Sequence, residues 1–415
     1  MIENEGRLNS NFFDRLTETV QQSGPVEAAK FLVDSMRNQQ RYTELFEALK
    51  MYHRMELGLP AVQTDLAGAN SKIGGISEAL QDNLDKRLID SCREVGTELL
   101  RKGMLQDGWM YMRAVGDRVA AAEAMKDVVV NQDNLDTVLG LLVHEAVDVK
   151  RGTQLSLEMR GTCNTITMLD SVVSMRGRDD QQLAVGVLVE HVHQELLNSL
   201  RSDLARRENW AEAHLESNEQ SVDKLLGSRP GLLKDGTYHL DTTHLASTVR
   251  FARILDDKKQ LRLALDLAQY GRQLHPQYQY PSEEPFADLY PMSIAWFRAI
   301  LGEHVDAATK LFLQKAESID PQEHGTIAIE TYADLLTRVG KPEEAMRFLI
   351  KRMPKGMRPF GIAPSLIELA EASGCYELML EHAKEKLDDI GFAAALLQRA
   401  SVHDDSIGHK KTSDF

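Results

Sequence analysis

Glu190 and His193 stand three residues apart, and so do Asp241 and His244. That spacing puts a carboxylate and an imidazole on one face of a helix. Two such pairs facing each other are half of the ligand set with which helical bundles hold two iron ions. One expectation is therefore a metal-dependent enzyme with Glu190, His193, Asp241 and His244 as ligands to iron, manganese or zinc. The other half must come from carboxylates on other helices, for which Glu145 and Glu158 are available. His191 and Glu195 form a further pair, but helix positions two apart point about 200° away from each other, so His191 and His193 do not share one undistorted site.

Each pair also has a plain structural explanation. His193 sits at the edge of the apolar stripe Val185, Val189, Val192, Leu196, Leu200, Leu204, where a half-buried imidazole bonds a neighbour. Asp241 precedes Thr242, Thr243 and His244 at the start of the stripe Leu245, Val249, Ala252, Leu255, the position from which Asp caps orphan backbone N–H groups. His144-Glu145-Ala146-Val147-Asp148 approaches the zinc-protease HExxH pattern but ends in Asp, which removes the second imidazole, and reads as a solvated helix face. GxxxxGK[ST], GxGxxG and GxSxG signatures are all missing from the chain, so ATPase, dinucleotide and serine-hydrolase readings lose their usual support. No cofactor is expected outside the metal alternative.

A second candidate region runs from His275 to Pro291 and holds Tyr278, Tyr280, Phe286 and Tyr290. At seventeen residues it exceeds the usual length of a connection without structure, and its aromatics offer apolar faces with polar tips for a peptide or a small ligand. The alternative is that they dock the loop onto its helices. Cys163, in a small polar run from Gly161 to Thr167, has no base nearby in sequence and reads as a packed thiol.

These groups must be positioned by helices. Apolar residues recur at intervals of three and four almost throughout, and alternating strand patterns are hard to find, which predicts an all-α fold. Breaks are expected at Ser23 to Pro25, Gly58 to Gly75, Arg176 to Asp180, Gly227 to Gly236, His275 to Pro291 and Pro354 to Pro364. The formal charge of −15 repels phosphate, so no nucleic-acid partner is expected. The local basic group Lys351, Arg352, Lys355 and Arg358 reads as a helix C-terminus and its connector. Three scattered cysteines without a CxxC pair, no secretory leader and no long apolar run predict a cytoplasmic protein away from membranes.

Short helices that cannot bury both faces alone must be stacked, and one repeating frame supports this. It has a small residue, a turn residue seven later and a second small residue twelve later: Ala295, Gly302, Ala307 and Ala333, Gly340, Ala345. Looser copies are Thr17, Gly24, Ala29; Gly96, Gly103, Gly108; Ala252, Lys259, Ala264; and Ile367, Gly374, Met379. Small residues allow close crossing, and Gly allows the chain to leave a helix through positive φ. The segment Tyr332 to Ala345, with Leu335, Leu336, Gly340 and Pro342, resembles a tetratricopeptide repeat. The resemblance implies helix pairs stacked into a superhelix that binds peptides or protein segments.

The expected organisation is a helical hairpin region at 1–57, a linker at 58–77, a central helical bundle at 78–230, tetratricopeptide-like repeats at 231–400 and a flexible tail at 401–415. The expected work is that of a protein- or peptide-binding scaffold rather than an enzyme. The metal-dependent enzyme and a small-molecule-binding regulatory protein stand as alternatives. The sequence assigns neither the partner nor the oligomeric state.

Overall fold

The structure, a computed structural model, describes residues 2–63, 77–208, 222–354 and 356–408. Its regular elements are helices, with no strand among the described residues. The chain packs as two compact units, Met1–Ser156 and Leu157–Phe415, a division that falls inside the stretch 78–230.

In the first unit α1 (Ile2–Ser23), α2 (Pro25–Asn38), α3 (Tyr42–Glu56), α4 (Glu78–Arg101) and α5 (Leu105–Val115) pack each on the next. The short α6 (Arg118–Ala124) and α7 (Leu135–Leu139) lean on α4 and α5, and a π-helical turn follows at Gly140–His144. The core is a cluster of Val33, Met36, Leu45, Leu49, Val95 and Leu99 against Tyr111. Most of the expected linker, residues 64–76, lies outside the described residues. α8 (Val149–Ser171) crosses the division and breaks at Gly161, whose φ of 80° and ψ of 173° are not helical.

The second unit contains α9 (Arg178–Glu208), α10 (Val222–Ser228), α11 (Thr242–Phe251), α12 (Lys258–Gln273), α13 (Leu289–Ile300), α14 (Val305–Ser318), α15 (Pro321–His324), α16 (Ile327–Arg338), α17 (Pro342–Arg352), α18 (Leu366–Ser373), α19 (Tyr376–Lys386) and α20 (Asp389–Gly408). From α11 to α14, and again from α16 to α20, each helix packs on its successor, while α14 packs on α16 across the one-turn α15. The predicted stripe of α9 is its buried side: Val189, Val192, Leu196 and Leu200 are fully enclosed. α9 packs against α11 and α12, burying apolar surface at roughly 25 cal/mol per Å².

The turn glycines of the repeating frame behave as their spacing predicts. Gly24, Gly103, Gly302, Gly340 and Gly374 all take positive φ, between 72° and 88°. Gly96 and Gly108 lie at a close crossing of α4 and α5, where a Cβ on Gly108 would come within 2.8 Å of the Leu100 backbone nitrogen. Ala333 and Ala345 are fully buried. Two positions differ. Ala307 is exposed and its neighbour Ala308 is buried instead, so the packed register of α14 is one residue on. Lys259 lies inside the first turn of α12, whose start is set by Asp257 accepting from the Gln260 N–H at 2.9 Å.

Candidate functional site

A cavity of about 1000 Å³ opens in the second unit. Its walls come from elements far apart in sequence. Arg176, Arg178 and Gln181 enter from the start of α9 and the turn before it, and Arg250, Phe251 and Arg253 from the end of α11 and the 3-10 turn Ala252–Ile254. The loop Pro281–Phe286 and Trp296 of α13 form another side. Ile327, Thr331 and Asp334 of α16 and the loop residues Phe360, Gly361 and Ile362 close it.

Local bonds explain why these segments stay in place. In the first loop the Ser282 N–H donates to the Ala287 carbonyl at 3.1 Å and the Phe286 N–H to Glu283 at 2.9 Å, while the Lys315 ammonium holds the Glu284 carboxylate at 2.9 Å. The second loop is held by a single buried side chain. Glu330, 1% exposed, accepts from three consecutive backbone N–H groups, Phe360 at 2.8 Å, Gly361 at 2.8 Å and Ile362 at 2.9 Å, and from the Thr326 hydroxyl at 2.5 Å. A carboxylate with its lone pairs so occupied is stable when buried, since each charge-assisted bond replaces hydration. Phe360 then lies over Gly325, where a Cβ would meet its ring at 2.6 Å. A glycine at that position is favoured by its φ of 67°, while the exposed Phe360 ring could shift to admit a Cβ.

The charged groups of the wall are not equivalent. Arg178 lies 3.6 Å from Asp334 and 3.8 Å from Asp256, and Arg338 approaches the same two carboxylates at 3.7 and 2.8 Å. Burial pushes the Asp334 carboxyl upward, against the pull of Arg338 and Arg178. Arg250 donates to both oxygens of Asp170 at 2.9 Å. Among the described residues Arg253 has no such counterion. Its guanidinium lies 3.7 Å from the centroid of the Phe286 ring, its Nε reaches the Ser293 hydroxyl at 3.4 Å, and its enclosed Nη2 has no hydrogen-bond partner. Burial, and then the like charge of Arg250, lowers its pKa to about 9, which still leaves it cationic at neutral pH.

Of the four aromatics expected to bind, Phe286 alone lines the cavity, and only its edge is accessible, since it packs between Trp296 and Phe312. Tyr290 is buried against Gly271 with an unpartnered hydroxyl. Tyr278 packs edge-to-face on Tyr238, and the hydroxyl of the partly exposed Tyr280 meets that of Thr242 at 3.2 Å. The Tyr residues of the loop thus pack against its surroundings, and its Pro281–Phe286 stretch lines the cavity.

The His and carboxylate pairs go to separate duties. His193 is buried and bonds Asp266 at 3.2 Å, a partner from α12, and Glu190 accepts from the Gln260 amide at 3.2 Å. Asp241 caps α11, accepting from the Thr243 and His244 N–H groups at 2.8 and 3.1 Å. Among the described residues, no group of three or more His, Cys, Asp or Glu side chains is assembled as for a metal ion. Glu158 is exposed, Glu145 pairs with Arg113 at 2.7 Å, and His191 meets Glu195 and the Thr162 hydroxyl. The segment 144–148 is not the continuous helix face its pattern suggests, because Ala146 turns to positive φ after the π-helical turn. Cys163, expected as a packed thiol, is exposed. Lys351 and Arg352 end α17 as expected, and Lys355 lies outside the described residues.

Sequence reasoning missed Arg253 and Glu330. Arg253 follows an apolar stripe at a helix end, where a cation ordinarily complements the dipole, and Glu330 lies between Ile329 and Thr331 with no turn signal of its own. A charged residue on the apolar side of a helix was the one available signal for Glu330. Among the described residues no helix is long and apolar enough to cross a membrane. Compared with known proteins, the chain matches no family model and no curated protein.

Proposed function

We propose that this is a tetratricopeptide-like helical-repeat protein that works by binding, and that residues 157–415 hold a small ligand in the arginine-lined cavity. The observation that carries the reading is the cavity itself. Its volume of about 1000 Å³ stands at the upper end of small-ligand sites, its walls are partly aromatic, and a few polar groups converge on it. The one side-chain amide in the wall, Gln181, is already spent on the Ser174 and Arg176 carbonyls at 3.1 and 2.8 Å. That leaves no free amide to pair with an extended main chain, which favours a compact ligand over a peptide strand. Thermal-shift and native mass spectrometry measurements of the full chain against a chemically varied small-molecule panel test this. A saturable rise in melting temperature is expected for at least one compound, lost in Ile362→Trp, which narrows the cavity from a half-exposed position. A panel with no stabilising member refutes the reading.

A scaffold role has its own support at the end of the second unit. Leu387, Ile390 and Leu397 are 87%, 81% and 69% exposed, so the last helical layer leaves apolar surface uncovered where a stack normally ends in a polar cap. Affinity capture comparing the natural chain with Ile390→Lys tests it: a partner retained by both proteins alike would refute docking at that end.

A further inference from the structure

The ligand class follows from Arg253, and this step rests on the reading of the cavity as a ligand site. A guanidinium withdrawn from water without a counterion is among the most expensive arrangements in a protein interior. Arg178 and Arg250, on the same walls, have carboxylate partners. Arg253 has the ring of Phe286 and a long contact to Ser293, and the charge that acts on it is the like charge of Arg250. The ring occupies one face of the guanidinium. The N–H donors lie in the guanidinium plane, so the π contact leaves Nη2 without an acceptor. Nη2 itself is sealed from the cavity, but Arg253 is half-buried and lines it, so a ligand meets the charge through the accessible edge of the guanidinium.

Arg253 is also held rigidly. Its carbonyl accepts from the Trp296 indole N–H at 3.0 Å and from Arg338 at 2.6 Å, which fixes the backbone from which the side chain extends. A cation fixed in place, with unused in-plane donors beside aromatic edges, is preorganised for a planar or tetrahedral oxyanion.

We propose that the cavity recognises an organic anion, whose carboxylate or phosphate headgroup pairs with the accessible edge of the Arg253 guanidinium while its aromatic or aliphatic body lies along Phe251, Phe286 and Phe360. The lining supplies both functions: four arginines, Arg176, Arg178, Arg250 and Arg253, against the carboxylates Glu283, Glu284 and Asp334, and aromatic surface that includes Phe360, 65% exposed.

Matched probes test the assignment on the full chain: 1-naphthaleneacetate, its neutral isostere 1-naphthaleneacetamide, and 1-naphthyl phosphate, each titrated by calorimetry and thermal shift into the natural protein, Arg253→Met and Arg253→Lys. At least one of the two anions is expected to bind and the amide to bind at least tenfold more weakly; which anion binds tells carboxylate from phosphate. Arg253→Met is expected to lose at least tenfold in affinity for that anion while its ligand-free melting temperature stays the same or rises, since the variant removes an uncompensated buried charge. Arg253→Lys, which keeps charge without the planar fork, is expected to fall between the two. Equal binding of acid and amide, or undiminished binding by Arg253→Met, overturns the anion assignment and leaves the cavity reading intact. Binding of only neutral members of the wider panel does the same, whereas no binding by any compound overturns both. If Arg253→Met does not fold, the comparison of acid with amide in the natural protein decides alone.

Discussion

Replacing Glu330 with Gln exchanges one carboxylate oxygen for an NH2 and tests how the cavity wall is held. The carboxylate now receives four donors, three of them the backbone N–H groups of Phe360, Gly361 and Ile362. An amide can accept on one side only. Its NH2 is best placed toward Phe360 and Thr326, where the hydroxyl can turn to accept, so the Phe360 bond is lost, its N–H is left opposite another donor, and the bonds from Gly361 and Ile362 lose their charge assistance. Bonds to a charged acceptor are worth about 1.5–3 kcal/mol each, and relief from burying the charge returns part of that. A net cost of about 3 kcal/mol follows. It is expected to fall on the loop rather than on the whole unit, because the loop's attachment is local and α16 remains packed against α14 and α17. At about 1.4 kcal/mol per factor of ten, local opening should become about a hundredfold more frequent. Hydrogen exchange followed by mass spectrometry reads this directly at the amides of residues 360–362, with α16 and α17 as internal references. Protection at those amides within threefold of the natural protein would show that the carboxylate does not hold the loop.

The two kinds of frame glycine should respond differently to alanine. Gly108→Ala drives a Cβ to 2.8 Å from the Leu100 backbone and is expected to cost about 3 kcal/mol in urea unfolding, whereas Gly302→Ala meets open space at a φ of 84° and is expected to cost about 1 kcal/mol; equal costs would refute the crossing argument. Asp203 is buried, and although burial raises its pKa, bonds from Arg206, His239 and Arg207 outweigh this and lower it to about 2. Its folded value lies below the unfolded one, so its contribution, on the order of 2 kcal/mol, is fully present above the ordinary carboxylate range near 4 and is lost as pH falls toward 2. The stability difference between the natural protein and Asp203→Asn should therefore shrink over that interval, and a gap constant from pH 6 to 2.5 would contradict it. Elemental analysis of purified protein is expected to find no stoichiometric iron, manganese or zinc, and a stoichiometric metal lost in His193→Ala would restore the metal-dependent alternative.

The helical class, the turns and several caps were legible in the sequence because each depends on neighbours within a few residues. Positive φ at Gly24, Gly302 and Gly340 and the Asp241 cap need only local chain geometry and one short side chain. The buried stripe of α9 was legible too, since any partner would cover the same apolar face. The partner of His193 was not, because an imidazole at the edge of a stripe accepts whichever group the opposing helix presents, here Asp266. Pairing of Glu190 with His193 by spacing alone assumed that both would face one site, and Gln260 of α12 claimed Glu190 instead.

The candidate site belongs almost wholly to tertiary structure. Arg178, Arg253, Phe286, Thr331 and Ile362 share one cavity wall, though they come from the start of α9, the 3-10 turn after α11, α16 and two loops spread along the second unit. Sequence determined that these segments would be helices joined by turns, through short-range periodicity. Packing alone decided which of their charges found counterions: Arg178 and Arg250 meet carboxylates, whereas Arg253 meets the face of Phe286.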